Sequence, residues 1–249
     1  MTNGFLFINK PSGPTSHDIV DELRRITGIK KIGHAGTLDP FASGLLIVAV
    51  GREATRQISH FAKMDKTYIA KLHLGATSDT YDRTGKLLIT SARGGSAFGG
   101  NCELLITDKK IEEILKKFIG QQKQIPPMYS AKKVNGKKLY ELARRGIEVE
   151  RKPVDINIHY IKLLDFITPP TPSYIKRGDN DVAHYLIIET RVSSGTYIRS
   201  LAHDIGQALG CGAYLEELER TEIGNYKLEN AVDINKLALK NWHNYLFQL

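Results

Sequence analysis

Cysteine is scarce: the chain has two, Cys102 and Cys211, and they form no C-x-x-C pair. The eight histidines include no H-x-x-x-H or H-E-x-x-H spacing, so neither a structural zinc site nor a zincin helix is expected. No metal site is expected. Two thiols need no structural role in a reducing compartment, and a cytoplasmic location is expected. Long hydrophobic runs are missing as well. The opening "MTNGFLFINKPSG" is too short an apolar stretch for a signal peptide, and the longest later run, Leu45 to Val50, cannot span a bilayer. Acidic residues are the minority, with Asp+Glu 27 against Lys+Arg 35, a net charge of +8 and a pI near 9.3. That balance makes an anionic partner such as nucleic acid a candidate, although charge alone cannot select it. What is present is ordinary globular material. A chain of 249 residues, 41% hydrophobic and 25% charged, can bury a sizeable core in one large domain or two small ones.

The pattern opens strand, loop, helix. Phe5 to Asn9 reads as a short buried strand ended by "KPSGPTS". Thr15 with Asp18 three residues on is a capping-box start, and Ile19, Val20, Leu23 and Ile26 recur at helical spacing up to Gly28. The run "LLIVAV" at 45 to 50 reads as a fully buried strand, which puts Asp39 in the loop that feeds it. Tyr68, Ala70, Leu72 and Leu74 alternate with Ile69, Lys71 and His73, as a half-buried strand requires. Asp108 is the expected N-cap of a helix whose stripe is Ile111, Ile114, Leu115 and Phe118. Val154 to Tyr160 and Tyr185 to Val192 alternate again, and Ile198, Leu201, Ala202, Ile205 and Leu209 mark a helix closed by Gly210. Alternating strands mixed with helices, with no regular βαβ rhythm, predict an α+β fold around a central mixed, largely antiparallel sheet. Stretches near 91–102 and 168–182, rich in Gly, Ser and Pro, read as surface insertions.

Taken singly, the residues able to do chemistry have plain structural explanations. An aspartate before proline is usually a turn residue, His34 can serve a turn, Arg199 can be a helix-end charge, and Tyr68 can be a packed aromatic. Longer strings change the weighing. "NKPSGPTSHDIV", "GHAGTLDPFASGLLIVAVG", "KTYIAKLHLGATSDTYDRTG", "QIPPMYSAKKVNGKKLYELARRG" and "VSSGTYIRSLAHDIGQALGCGAYLEELERTEIG" follow in order and cover most of residues 5 to 224. Together they resemble the TruB-type tRNA pseudouridine synthases, which isomerise uridine 55 in the T arm.

The resemblance implies a pseudouridine-synthase catalytic domain over 1–227 with Asp39, in the "LDP" block, as the catalytic residue. It also implies that His34 helps hold the extruded nucleotide, and that Tyr68 packs on the target base and is a candidate proton acceptor. Arg199 is implied as the ion-pair partner of the catalytic carboxylate, and Lys10 as a supporting residue in the N-terminal "K-P" turn. The reaction breaks N1–C1′ and joins C5 to C1′ with no change in redox state, so it requires a carboxylate rather than a cofactor. That carboxylate attacks C1′, attacks a base carbon or takes a ribose proton, and the sequence leaves the three open. The base must leave its stack, at a cost of a few kcal/mol. Lys132, Lys133, Lys137, Lys138, Arg144 and Arg145 form the densest basic stretch, with Asn135-Gly136 as a tight hairpin turn inside it, so a basic ribbon gripping the T arm of tRNA is expected. The partner is therefore tRNA, with no membrane, no obligatory protein partner and a monomeric state expected. Bacterial members usually add a C-terminal PUA barrel. The segment 228–249 suffices only for a short strand and an amphipathic helical tail with Ile234, Leu237 and Leu239 on its apolar side, so no PUA domain is expected. Two other classes remain: an aspartate-dependent nucleoside glycosidase, which would not need the basic ribbon, and a pure RNA-binding module, which would gain nothing from an Asp39–Arg199 pair.

Overall fold

The computed structural model of the chain describes residues 3–89, 107–130, 132–134, 136–143, 145–167 and 184–248. In chain order it begins with β1 (Gly4–Lys10), α1 (Ser16–Thr27), β2 (Ile32–His34), β3 (Ser43–Val50), α2 (Arg52–Arg56) and α3 (Ile58–Ala62). There follow β4 (Lys66–Leu74), β5 (Ala76–Ser78), β6 (Leu87–Ile89), α4 (Asp108–Lys116), β7 (Gly120–Gln124), β8 (Lys133–Val134), β9 (Lys137–Lys138) and α5 (Leu139–Ala143). The chain closes with β10 (Val154–Ile167), β11 (His184–Val192), α6 (Ile198–Leu209), β12 (Ala213–Ile223), β13 (Tyr226–Lys227) and β14 (Val232–Asp233). Two compact units result. The first is Met1–Ile69, Arg191–Ser194 and Leu218–Leu249, and the second is Ala70–Thr190 and Gly195–Glu217. Both expected insertions lie outside the described residues.

In the first unit the strand order is β14-β1-β3-β12, with β2 also on β3 and β13 on β12. β1 and β3 are antiparallel, pairing Leu6 with Val48 and Ile8 with Leu46. β12 joins β3 in parallel at Glu219 and Ser43. The unbroken apolar run of β3 is explained by cover on both faces. Leu46, Val48 and Val50 pack with Ile19, Val20 and Leu23 of α1 and with Trp242. Leu45, Ile47 and Ala49 pack with Phe5, Ala54 and Phe61. A strand buried on both sides has no reason to alternate. α1 carries the expected capping box, Thr15 with Asp18, and ends at Gly28 in the left-handed region (φ 70).

In the second unit β4, β11, β10 and β7 are consecutive neighbours. β10 and β7 are antiparallel, from Val154 with Gln124 to Ile158 with Gly120. α6 buries Ile198, Leu201, Ala202, Ile205 and Leu209, the predicted stripe, and α4 buries Ile111, Ile114 and Leu115. The α+β expectation with a mixed sheet therefore holds. Three local readings change. α4 is capped by Thr107, whose hydroxyl accepts from the Lys110 amide, and Asp108 is its first residue. β10 runs on to Ile167, well beyond Tyr160. After Gly224 the expected amphipathic helix is replaced by short 3-10 turns at Leu228–Asn230, Ile234–Lys236 and Trp242–Tyr245. Ile234 and Leu237 are buried as expected, but Leu239 is 67% exposed. The Asn241 side chain accepts from the Ala238 amide at 2.7 Å, diverting the chain from a helical path. No described helix is long and apolar enough to cross a membrane.

Candidate active site

Asp39 is half-buried and lies in the loop between β2 and β3, in the first unit. The loop has no regular ladder, yet each carbonyl from Leu38 to Ala42 accepts a hydrogen bond. Ser16 Oγ donates to Leu38 (3.1 Å), and the Ala42 amide closes a turn on Asp39 (3.1 Å). The Gly13 amide donates to Pro40 (2.8 Å) and Ser12 Oγ to Phe41 (2.7 Å). Lys10 Nζ reaches both Pro40 (3.2 Å) and Ala42 (2.7 Å). Ser16 Oγ also accepts from the Leu38 amide at 2.9 Å. The "KPSGPTS" stretch after β1 is thus a mould for the Asp39 loop. Bonds to each carbonyl from Leu38 to Ala42 fix the loop along its main chain.

Lys10, expected to support the site, is fully buried. Burial pushes its pKa down to about 8, with Asp39 pulling upward and Arg220 pushing further down. Arg220, which the sequence reading missed, is 1% exposed. Its guanidinium donates to Leu45 O at 2.8 Å and to Gly36 O at 3.1 Å, tying both ends of the loop to β12. That strand comes so close to β3 that a Cβ on Gly44 (φ +106) would meet the Arg220 carbonyl oxygen at 2.3 Å. Lys66 is a second missed cation. Its Nζ donates to Ala62 O and Met64 O, both at 2.6 Å, and burial with the nearby Arg220 charge lowers its pKa to about 8.

His34 ends β2. Burial, with Arg220 and His17 adding to it, holds its pKa below the ordinary value, so the ring is neutral at pH 7. Its Nδ1 is buried with no hydrogen-bond partner among the described residues. Tyr68 sits near the start of β4 and is 8% exposed. The first unit therefore holds Lys10, His34, Asp39 and Tyr68.

Arg199 belongs to the second unit, on the first turn of α6, and is 5% exposed. Its Nη1 donates to Asp82 Oδ2 and to Thr80 O, both at 3.2 Å, and its Nη2 donates to Tyr129 O at 2.8 Å. Asp82 is itself 3% exposed. Its Oδ1 accepts from Thr80 Oγ1 (2.9 Å), from the Thr84 amide (2.9 Å) and from Thr84 Oγ1 (2.5 Å). Asp82 carries no expected role in the sequence; the threonines two residues to either side of it in "SDTYDRTG" are the available signal, since an aspartate so flanked can close a turn on itself.

The predicted basic ribbon forms in part. β8 and β9 pair Lys133 with Lys138 and Val134 with Lys137, and Gly136 has φ +80, as a tight hairpin turn requires. Lys132 Nζ reaches Lys152 O at 3.5 Å, and Arg145 is exposed. Asn135 and Arg144 lie outside the described residues.

Comparison with known proteins follows the same residues. The family model for the TruB family pseudouridylate synthase N-terminal domain matches residues 24–198. That for the tRNA pseudouridylate synthase B C-terminal domain matches residues 199–248. The chain is 46% identical over 230 residues to the tRNA pseudouridine synthase B of Protochlamydia amoebophila (strain UWE25), covering 92% of this chain and 78% of that protein. To the protein of the same name from Clostridium novyi (strain NT) it is 42% identical over 247 residues, 99% of this chain and 76% of that one. Among solved structures it is similar to a chain of a Cbf5-Nop10-Gar1 complex, with TM-score 0.63 and 30% identity over 97% of this chain. The match spans 54% of that longer chain, about half its length.

Proposed function

Because the chain belongs to the TruB family of pseudouridylate synthases, we propose that it isomerises uridine 55 in the T arm of tRNA, with Asp39 as the catalytic group. The observation that carries the reading is the Asp39 loop, held along its main chain from Leu38 to Ala42. A carboxylate so placed keeps its geometry through a reaction in which the uracil must detach, turn and rejoin. Asp39 attacks C1′, attacks a base carbon or takes a ribose proton; each needs an ionised, aimed carboxylate and no cofactor. C5 gives up its hydrogen when the C5–C1′ bond is made, and N1 ends protonated.

The other residues take the roles the family pattern gives them. Tyr68 stacks on the flipped base, an interaction worth about 1–3 kcal/mol, which offsets part of the unstacking. Neutral His34 helps hold the nucleotide, and Arg199 partners the catalytic carboxylate. The ribbon of Lys133, Lys137 and Lys138, flanked by Lys132, Arg144 and Arg145, grips the T-arm phosphates, so tRNA affinity should fall steeply with salt. The protein is proposed to act as a cytoplasmic monomer without an obligatory protein partner; size-exclusion chromatography with light scattering tests the monomer.

The deciding assay uses unmodified tRNA tritiated at uracil C5, without cofactor or metal. Tritium release that depends on Asp39 and on uridine 55 supports the reading. Free uracil would identify a glycosidase, and binding without either product would identify an RNA-binding module.

A further inference from the structure

Resting on the reading that Arg199 serves the reaction, we infer that Tyr81 is a positioning residue: its left-handed backbone and its stack on His203 aim the Asp82 carboxylate at Arg199. Among the described residues Tyr81 is the only non-glycine with positive φ, at 64°. That conformation is disfavoured for any residue with a Cβ and persists only where the surroundings enforce it.

The surroundings do so. The Tyr81 amide donates to Ser78 O (3.1 Å), its carbonyl accepts from the Leu215 amide (2.9 Å), and the Arg83 amide donates to Leu215 O (3.0 Å). Leu215 of β12 therefore clasps the main chain on either side of Asp82, in a parallel bridge. The Tyr81 ring lies on the His203 ring with centroids 4.1 Å apart and planes at 19°. His203 Nδ1 is buried with no hydrogen-bond partner among the described residues, so the imidazole is located by this stack rather than by a bond at that nitrogen.

The spacing shows what the left-handed residue does. Arg199 and His203 are four apart on α6, so guanidinium and imidazole share one face of that helix. Tyr81 and Asp82 are consecutive, and in extended chain their side chains would point to opposite sides. Here Tyr81 meets His203 while Asp82 meets Arg199. Two adjacent side chains reach the same helix face because the backbone turns at Tyr81. The strain and the stack therefore serve one end, the direction of the Asp82 carboxylate.

The test measures kcat and KM on C5-tritiated tRNA for Tyr81→Gly, Tyr81→Phe, Asp82→Asn, Arg199→Lys and the Tyr81→Gly/Asp82→Asn pair. Tyr81→Gly accepts the left-handed backbone, so it folds, but it loses the stack. Its kcat should drop by about tenfold or more with KM within about twofold, and Tyr81→Phe should restore kcat to within about twofold. In the Asp82→Asn background Tyr81→Gly should add less than about twofold, since residues acting through one group are non-additive. A Tyr81→Gly protein with a lowered Tm but wild-type kcat overturns the inference, as does a loss that multiplies fully with that of Asp82→Asn. Should Asp82→Asn fail to fold, the kcat and KM of Tyr81→Gly and the Tyr81→Phe rescue decide it. Arg199→Lys at wild-type kcat would sink the underlying reading of Arg199; an impaired Arg199→Lys beside a fully active Tyr81→Gly would sink only the role of Tyr81.

Discussion

The loop around Asp39 and the turn around Asp82 each fix one acidic residue, but the first is gripped along its main chain and the second by its carboxylate. Around Asp39 the donors Lys10, Ser12, Ser16 and Gly13 go to carbonyls beside the residue and the Ala42 amide to its own, spreading the work over many bonds. Around Asp82 two threonines and Arg199 converge on the two carboxylate oxygens. The difference separates two jobs. For the proposed reactive group the fold fixes the backbone that carries it; for the group that holds Arg199 the fold surrounds the side chain itself.

Asp39→Asn should give the largest functional effect, a loss of tritium release on the order of 10⁴-fold. Its Tm should fall less than that of Arg199→Ala, because the main-chain bonds from Leu38 to Ala42 stay in place. Arg199→Ala should give the largest effect on stability. It leaves the buried Asp82 carboxylate without its cation, at a cost of about 3–5 kcal/mol, which lowers Tm by about 10 °C in a chain of this size. Adding Asp82→Asn to Arg199→Ala should recover part of that Tm. If thermal melts found Asp39→Asn as destabilising as Arg199→Ala, the contrast between the two acids would be lost.

The parts legible in the sequence were those with local causes. The Thr15–Asp18 box, the Gly28 stop and the β3 run needed only neighbours a few residues away, and all three formed. Asp39 was found through its motif, and its loop does lead into β3. The cations that hold the loop were not legible, because their partners are distant main-chain atoms. Arg220 reaches Leu45 and Gly36 across separations of 175 and 184 residues, and nothing about a lone arginine in a strand announces that its bonds go to carbonyls. Arg199 was picked out, but Asp82, to which its guanidinium donates, lies 117 residues away in a different string of the same pattern. At the C-terminus, Ile234, Leu237 and Leu239 fit a helix only loosely, and one asparagine was enough to turn the chain elsewhere.

The buried amines give a prediction of intermediate size. Lys10 and Lys66 both have folded pKa values near 8 against an ordinary 10.5, with burial as the main cause. Between pH 8 and 10.5 the unfolded chain binds more protons at these two positions than the folded chain, so their contribution to stability rises with pH across that window. Below pH 8 the cost of burying both charges is fully present. Urea titrations over that range should show a shallower rise for Lys66→Met than for wild type. Lys10→Met should flatten the slope similarly but also lower kcat, since Lys10 alone of the two bonds the Asp39 loop. Equal activity in the two variants would break the claim that the loop depends on its mould.

The smallest effect is expected at Ser16, and it shows most directly what a spread grip means. Its hydroxyl donates to Leu38 O and accepts from Leu38 N, and both residues are buried, Ser16 at 2% and Leu38 at 3% exposure. Ser16→Ala leaves an amide and a carbonyl without that partner, which costs about 1–3 kcal/mol, or several degrees in Tm for a chain of this length. The remaining bonds at Pro40, Phe41 and Ala42 stay in place. Asp39 should therefore lose precision rather than position, and kcat should fall only a few-fold, with tRNA affinity unchanged. A loss approaching that of Asp39→Asn would mean that one hydroxyl, and not the whole main-chain mould, sets the aim of the carboxylate.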